Sequence, residues 1–197
     1  MNPWIQTVSG AAVDLIEPDL SHVGLNDIAW SLSRIARFNG HTDTSIPYSV
    51  AQHSVHVARL VEHLGLPREA QFAALMHDAH EAFIGDIPTP VKRAIGDAIK
   101  ALDSRLEEAV RTRFGLATEF RSAIKAADLC ALIEERHRFM ADQTLDWGLL
   151  MDMDPRFDFC GGPHPENPVP PGRAMTAFIG LAYELRGVAI VDEAARI

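Results

Sequence analysis

The sequence predicts an all-α bundle preceded by a small β-hairpin, and three observations lead there. From about residue 25 to 140, apolar residues recur at helical spacing between recognisable caps. The only extended runs flank Ser9-Gly10 near the N-terminus, and residues 142–172 are too rich in Pro, Gly and Asp for a regular element. A chain of 197 residues suits one core. It is read as a single domain: a β element over 1–20, a helical core over 25–140, a long surface loop or lid over 142–172, and a last helix over 172–186 followed by a short tail.

Each element has its own signal. Ile28, Leu32, Ile35 and Ala36 predict a helix over about 27–38, with Asn26 available as cap and Gly40 beyond the end. Ser49 and Gln52 form a capping-box arrangement ahead of Val50, Val57, Leu60, Val61 and Leu64, and Gly65 closes that helix. Pro67 fits a first helical position, and Phe72, Ala73, Leu75 and Met76 carry the next helix to about 80. Thr89-Pro90 starts a short helix, a longer one runs from about 97 to 114 and stops at Gly115, and Thr118 can cap another that reaches about 140.

Composition narrows the function. With 47% apolar and 23% charged residues the chain is that of a soluble protein, and no window approaches a membrane span. The N-terminus lacks a basic stretch followed by an apolar core, which points to the cytoplasm. Cys130 and Cys160 suggest neither a disulfide framework nor a cysteine zinc site. A net charge of −9 argues against a nucleic-acid polymer as partner, yet leaves room for a small anion in a locally cationic cleft.

The stretch "AALMHDAHEAFIGDIPTP" (73–90) sets His77 and Asp78 at the end of an apolar run, with Glu81 on their side of the helix end. Imidazole plus carboxylate suits a borderline divalent cation, but two adjacent residues cannot complete its shell. His53 in the preceding helix and Asp128, a carboxylate among Ala, Leu and Ile, are the candidates to complete it. Singly, each has an ordinary alternative: Asp78 as a helix-end polar residue, Asp128 as a partner of Arg121 or Lys125, His53 as a core histidine. His56 and His80 each stand three residues from a proposed ligand and can also reach a metal.

Taken together, His53, His77-Asp78 and Asp128 resemble the H...HD...D signature of HD-domain metal-dependent phosphohydrolases. "YSVAQHSVHVA" (48–58), "HDAHEAFIGDIPTPVK" (77–92) and "KAADLCALIEE" (125–135) are similar to stretches of bacterial HD-domain 5'-deoxynucleotidases and a related phage deoxynucleoside triphosphohydrolase group. The resemblance implies an HD-domain helical bundle and one divalent cation (Mn, Co, Zn, Fe or Mg) on His53, His77, Asp78 and Asp128. It implies Glu81 as the acid/base carboxylate, and Arg37, Lys92 and Lys125 as phosphate contacts. Asp86 is implied against the deoxyribose 3'-hydroxyl and Phe38 beside the sugar, where relatives carry Trp. His80 stands where relatives carry a small residue.

The resulting expectation is phosphate removal from 2'-deoxynucleoside 5'-monophosphates by a homo-oligomer. Three alternatives accompany it: a triphosphohydrolase or other HD phosphoesterase, a di-iron oxygenase of the same fold recruiting His56 or His80, and a non-catalytic bundle that a metal staples together.

Overall fold

The computed structural model describes residues 2–142, 144–148 and 153–187. Strands β1 (Trp4–Gln6) and β2 (Ala12–Asp14) pair antiparallel with Ile5 opposite Val13. Asp27 pins this hairpin to the first helix by accepting from the N–H and the hydroxyl of Ser9 at 2.9 and 2.7 Å.

Helix α1 (Leu25–Leu32) follows Gly24 instead of starting from an Asn26 cap, and it stops well short of residue 38. The spacing of Ile35 and Ala36 allowed another turn, but an extended bridge claims their backbone. Ala36 pairs with Ser49, the Val50 N–H donates to the Ile35 carbonyl, and the Arg37 N–H donates to the Tyr48 carbonyl. Phe38 and Asn39 then turn with φ of 55° and 51°, a left-handed conformation that costs a non-glycine residue about 1–2 kcal/mol.

Helix α2 (Val50–His63) starts at Ser49, whose hydroxyl accepts from the Gln52 N–H. The capping box is only half formed. The Gln52 side chain instead donates to the Asn167 carbonyl at 3.1 Å and accepts from the Val169 N–H at 3.2 Å, which fastens the long loop to α2.

Helix α3 (Arg68–Leu75) has Pro67 as its cap, one place earlier than expected, and it ends before residue 80. The His77 side chain is the reason: its Nδ1 meets the Ala74 carbonyl at 2.7 Å, and the His77 N–H takes the same oxygen. The carbonyl that a continuing helix would offer to residue 78 is thus already used. A turn through 76–80 leads to α4 (Glu81–Ile84). Helices α5 (Thr89–Ile95) and α6 (Asp97–Phe114) follow, with Gly115 in the left-handed conformation after the latter. Helix α7 (Arg121–Phe139) is flanked by Phe120, while Thr118 contributes its backbone carbonyl to the Arg121 N–H instead of a side-chain cap. Helix α8 is Pro171–Arg186.

The architecture is the expected all-α bundle with an N-terminal hairpin. Helix α2 lies at its centre, against α3, α7 and α8. Val57, Leu60 and Val61 meet Leu75, Ala127, Phe178 and Leu181 in one buried cluster, where a fully buried Leu contributes about 1.5–3 kcal/mol. A side chain of α2 that faces the seam between α3 and α7 therefore meets both the end of α3 and the middle of α7. No described helix is long and apolar enough to cross a membrane. The expected tail after 186 and parts of the 142–172 loop lie outside the described residues.

Candidate metal centre

His53 projects from α2, His77 from the turn after α3 and Asp128 from α7, and one ligating atom of each lies within 4.8 Å of the others. The His53 Nε2 is 3.1 Å from Asp128 Oδ1 and 3.5 Å from Asp78 Oδ2. The His77 Nε2 is 3.1 Å from Asp78 Oδ2 and 3.8 Å from Asp128 Oδ1. His77 and Asp78 converge because the helix has already ended; in a continuing helix they would diverge by about 100°. Arg121, an alternative partner for Asp128, pairs with Glu107 at 3.7 Å.

Both imidazoles are fixed from behind. Glu135 accepts from His53 Nδ1 at 2.7 Å, and the Ala74 carbonyl accepts from His77 Nδ1 at 2.7 Å. Each Nε2 therefore faces the carboxylates, and each is a buried atom without a well-directed hydrogen bond among the described residues. The two orphaned imidazole nitrogens and the Asp128 carboxylate are a donor set that fits a borderline divalent cation, with Asp78 at its edge. Burial opposes charge on His77, but Asp78 and Asp128 outweigh it and raise its pKa well above the ordinary value. Burial likewise opposes charge on Asp78 and Asp128, and the histidines outweigh it and depress both. Such a cluster is held by protons or by a cation, and binding a cation releases the protons.

Glu135 is fully buried and also accepts from Arg37 Nε at 2.9 Å. Burial pushes its pKa up, yet Arg37 and His53 bring it below the ordinary value. Arg37 in turn approaches Asp78 Oδ2 to 3.9 Å. This carboxylate behind His53 was not anticipated from sequence. Its signal was its place seven residues, two helical turns, after Asp128 on the same face of α7.

Glu81 is buried beside the cluster, and its Oε2 has no hydrogen-bond partner among the described residues. Burial, then Asp78 and Asp86, push its pKa up to about 10. Burial also raises Asp86 against the pull of Arg37.

A cleft of about 380 Å³ leads away from His77, Asp78 and Asp128, bordered by Lys92 and Lys125 and floored by Met76, Val110 and Ile124. Lys125 is exposed and has no ion-pair partner among the described residues, whereas Lys92 binds Asp103 Oδ1 at 2.9 Å. The same oxygen lies 3.2 Å from His80 Nε2, and His56 Nε2 lies 3.0 Å from Glu134. Both histidines thus meet carboxylates outside the cluster through Nε2. Phe38 lies apart from that cleft, next to Arg37, with its ring 6.2 Å from Trp147 of the long loop.

The family model described as 5'-deoxynucleotidase YfbR-like matches residues 27–127, which include His53, His77, Asp78 and Glu81. The chain belongs to the YfbR-like family. Among relatives of this YfbR-like chain, an uncharacterized protein of Rhodobacter capsulatus is 43% identical over 131 residues, covering 64% of this chain and 67% of the relative. The uncharacterized protein YfdR of Escherichia coli is 40% identical over 147 residues, covering 75% and 78%. Membership supports an HD-type nucleotidase or phosphohydrolase in general.

Proposed function

We propose that this protein is a metal-dependent phosphohydrolase that releases phosphate from 2'-deoxynucleoside 5'-monophosphates. The observation that carries the reading is the buried Glu81 carboxyl, whose Oε2 has no partner among the described residues, beside two imidazole nitrogens that likewise lack one and face two carboxylates. His53, His77, Asp78 and Asp128 would hold one divalent cation. When bound, it supplies Lewis-acid polarisation of a phosphoryl oxygen and lowers the pKa of water.

The remaining steps fall to the chain's own side chains. Arg37, Lys92 and Lys125 offset the charge of the phosphate, with Glu135 fixing the orientation of Arg37. Burial favours the protonated form of Glu81, and in that form it acts as general acid. Water oxygen bonds to phosphorus, the bond from phosphorus to O5' breaks, and the Glu81 proton goes to O5'; a proton of the attacking water then returns to Glu81, and the products are deoxynucleoside and hydrogen phosphate. Asp86 would receive the 3'-hydroxyl, and Phe38, next to Arg37, would meet the sugar of a nucleotide whose phosphate reaches Arg37.

The test is a panel of deoxy- and ribonucleoside mono- and triphosphates with manganese, cobalt, magnesium and zinc, products separated by chromatography. Phosphate from deoxynucleoside monophosphates alone is expected. Release of triphosphate from the triphosphates would redirect the reading to a triphosphohydrolase, and no turnover with any ion would leave the metal-stapled bundle.

A further inference from the structure

We infer that Asp103 of α6 is a positioning residue that aims Lys92 at the phosphate subsite, with His80 holding Asp103 in place. The inference rests on the reading of the cleft as a phosphate site. Lys92 lies on α5, whose only link of this kind to α6 among the described residues is the 2.9 Å pair with Asp103 Oδ1. The same oxygen meets His80 Nε2 at 3.2 Å, and His80 is buried in the turn between Asp78 and Glu81. One carboxylate oxygen therefore ties the ligand-bearing turn, α5 and α6 together at the edge of the cleft that all three side chains line.

An unpaired lysine has a long flexible stem, and holding its head near a site costs side-chain entropy. Lys125 shows the contrast, for it lines the same cleft but is exposed and, among the described residues, unpaired. Lys92 is half-buried, and the charge of Asp78 reaches it. Asp103 is spent on orientation. It uses a single oxygen for both partners, which leaves the ammonium with donors for an anion in the cleft.

The experiment compares wild type with Lys92→Ala, Asp103→Ala, Asp103→Asn and the double variant Lys92→Ala/Asp103→Ala, all loaded with the same divalent ion. Binding of inorganic phosphate is followed by calorimetry, and KM and kcat are measured for 2'-deoxyadenosine 5'-monophosphate. Thermal midpoint and metal stoichiometry establish that each variant is folded and loaded. Asp103→Ala is expected to weaken phosphate binding about tenfold, the size of one charge-assisted hydrogen bond, and to raise KM with kcat nearly unchanged. Asp103→Asn, which keeps the shape and an acceptor, should fall between. In the Lys92→Ala background the same change should cost nothing more.

Phosphate binding by Asp103→Ala equal to or tighter than wild type would overturn the inference, since the carboxylate would then merely neutralise Lys92. Persistence of the full loss without Lys92, or no phosphate binding by the loaded wild type, would overturn it too. If wild type binds phosphate but turns over no nucleotide, the proposed function fails while the calorimetric comparison still decides the role of Asp103.

Discussion

The two edges of the site are built differently. On the inner edge, the Glu135 carboxylate, fully buried, is shared between His53 at 2.7 Å and Arg37 at 2.9 Å, so that every donor has one geometry. On the outer edge Lys92 and Asp103 are about a quarter exposed, and Lys125 is solvated. The inner edge must present charged groups at fixed positions in low dielectric, where a misplaced charge is costly. The outer edge has to meet a mobile, solvated anion, and partial exposure lets its cations adjust. A third region, where Phe38 pairs with Trp147, is held by contacts from the long loop and sits on a strained left-handed turn.

The contrast can be broken at graded cost. The largest effect is expected from Glu81→Gln, which keeps the shape but has no proton to give: phosphate release should fall about 10²- to 10⁴-fold. Metal stoichiometry, measured by elemental analysis, should stay at that of wild type. Retained turnover would remove Glu81 from its assigned role.

Next comes Glu135→Ala, which strands Arg37 inside the protein and frees the His53 ring. Urea denaturation should show a loss of about 3–5 kcal/mol, and titration with metal a 10- to 100-fold weaker affinity, roughly that of a lost partner behind a ligand. The pH dependence follows from sign. The folded pKa of Glu135 is depressed, so its contribution is complete above the unfolded value, near 4.5. It is lost as pH falls through the folded one. Chelator-treated wild type should therefore lose more stability below pH about 4.5 than Glu135→Gln does.

Trp147→Ala tests the third region. Loss of one aromatic contact to Phe38 is expected to raise KM by a few-fold, about 1 kcal/mol, with kcat and metal affinity intact. The smallest change belongs to Lys125→Ala. An exposed cation contributes about 0.2–1 kcal/mol, so phosphate binding should weaken by about fivefold at most, and less in high salt.

These differences also explain what could be read from the sequence. Helices whose ends are set by local signals, such as Ser49 before α2 and Gly115 after α6, stand where their residues predict them. Ends set by distant partners do not. Helix α1 stops at Leu32 because Ser49 claims an extended partner in Ala36, and α3 stops at Leu75 because the side chain of His77 takes the Ala74 carbonyl. The residues around the cluster carried a visible oddity, a charged side chain in an apolar run. Glu135 and Asp103 carried none: one lies in the charged stretch "IEERHR", the other in "LDSRLEE", where an acid reads as part of a solvated helix face. Only the fold reveals that each is turned toward a cation or an imidazole from another element. His80 reads from sequence only as a residue that can reach the metal for the same reason, since its partner lies 23 residues away on α6.

The most direct test of the central claim is a metal titration of chelator-stripped protein, followed by phosphate release from 2'-deoxyadenosine 5'-monophosphate, with His77→Ala as the parallel sample. Activity is expected to rise and level off at one divalent ion per chain for the wild type and to stay at baseline for His77→Ala. Activity that is indifferent to added metal, or undiminished in His77→Ala, would contradict a cation held by His53, His77, Asp78 and Asp128.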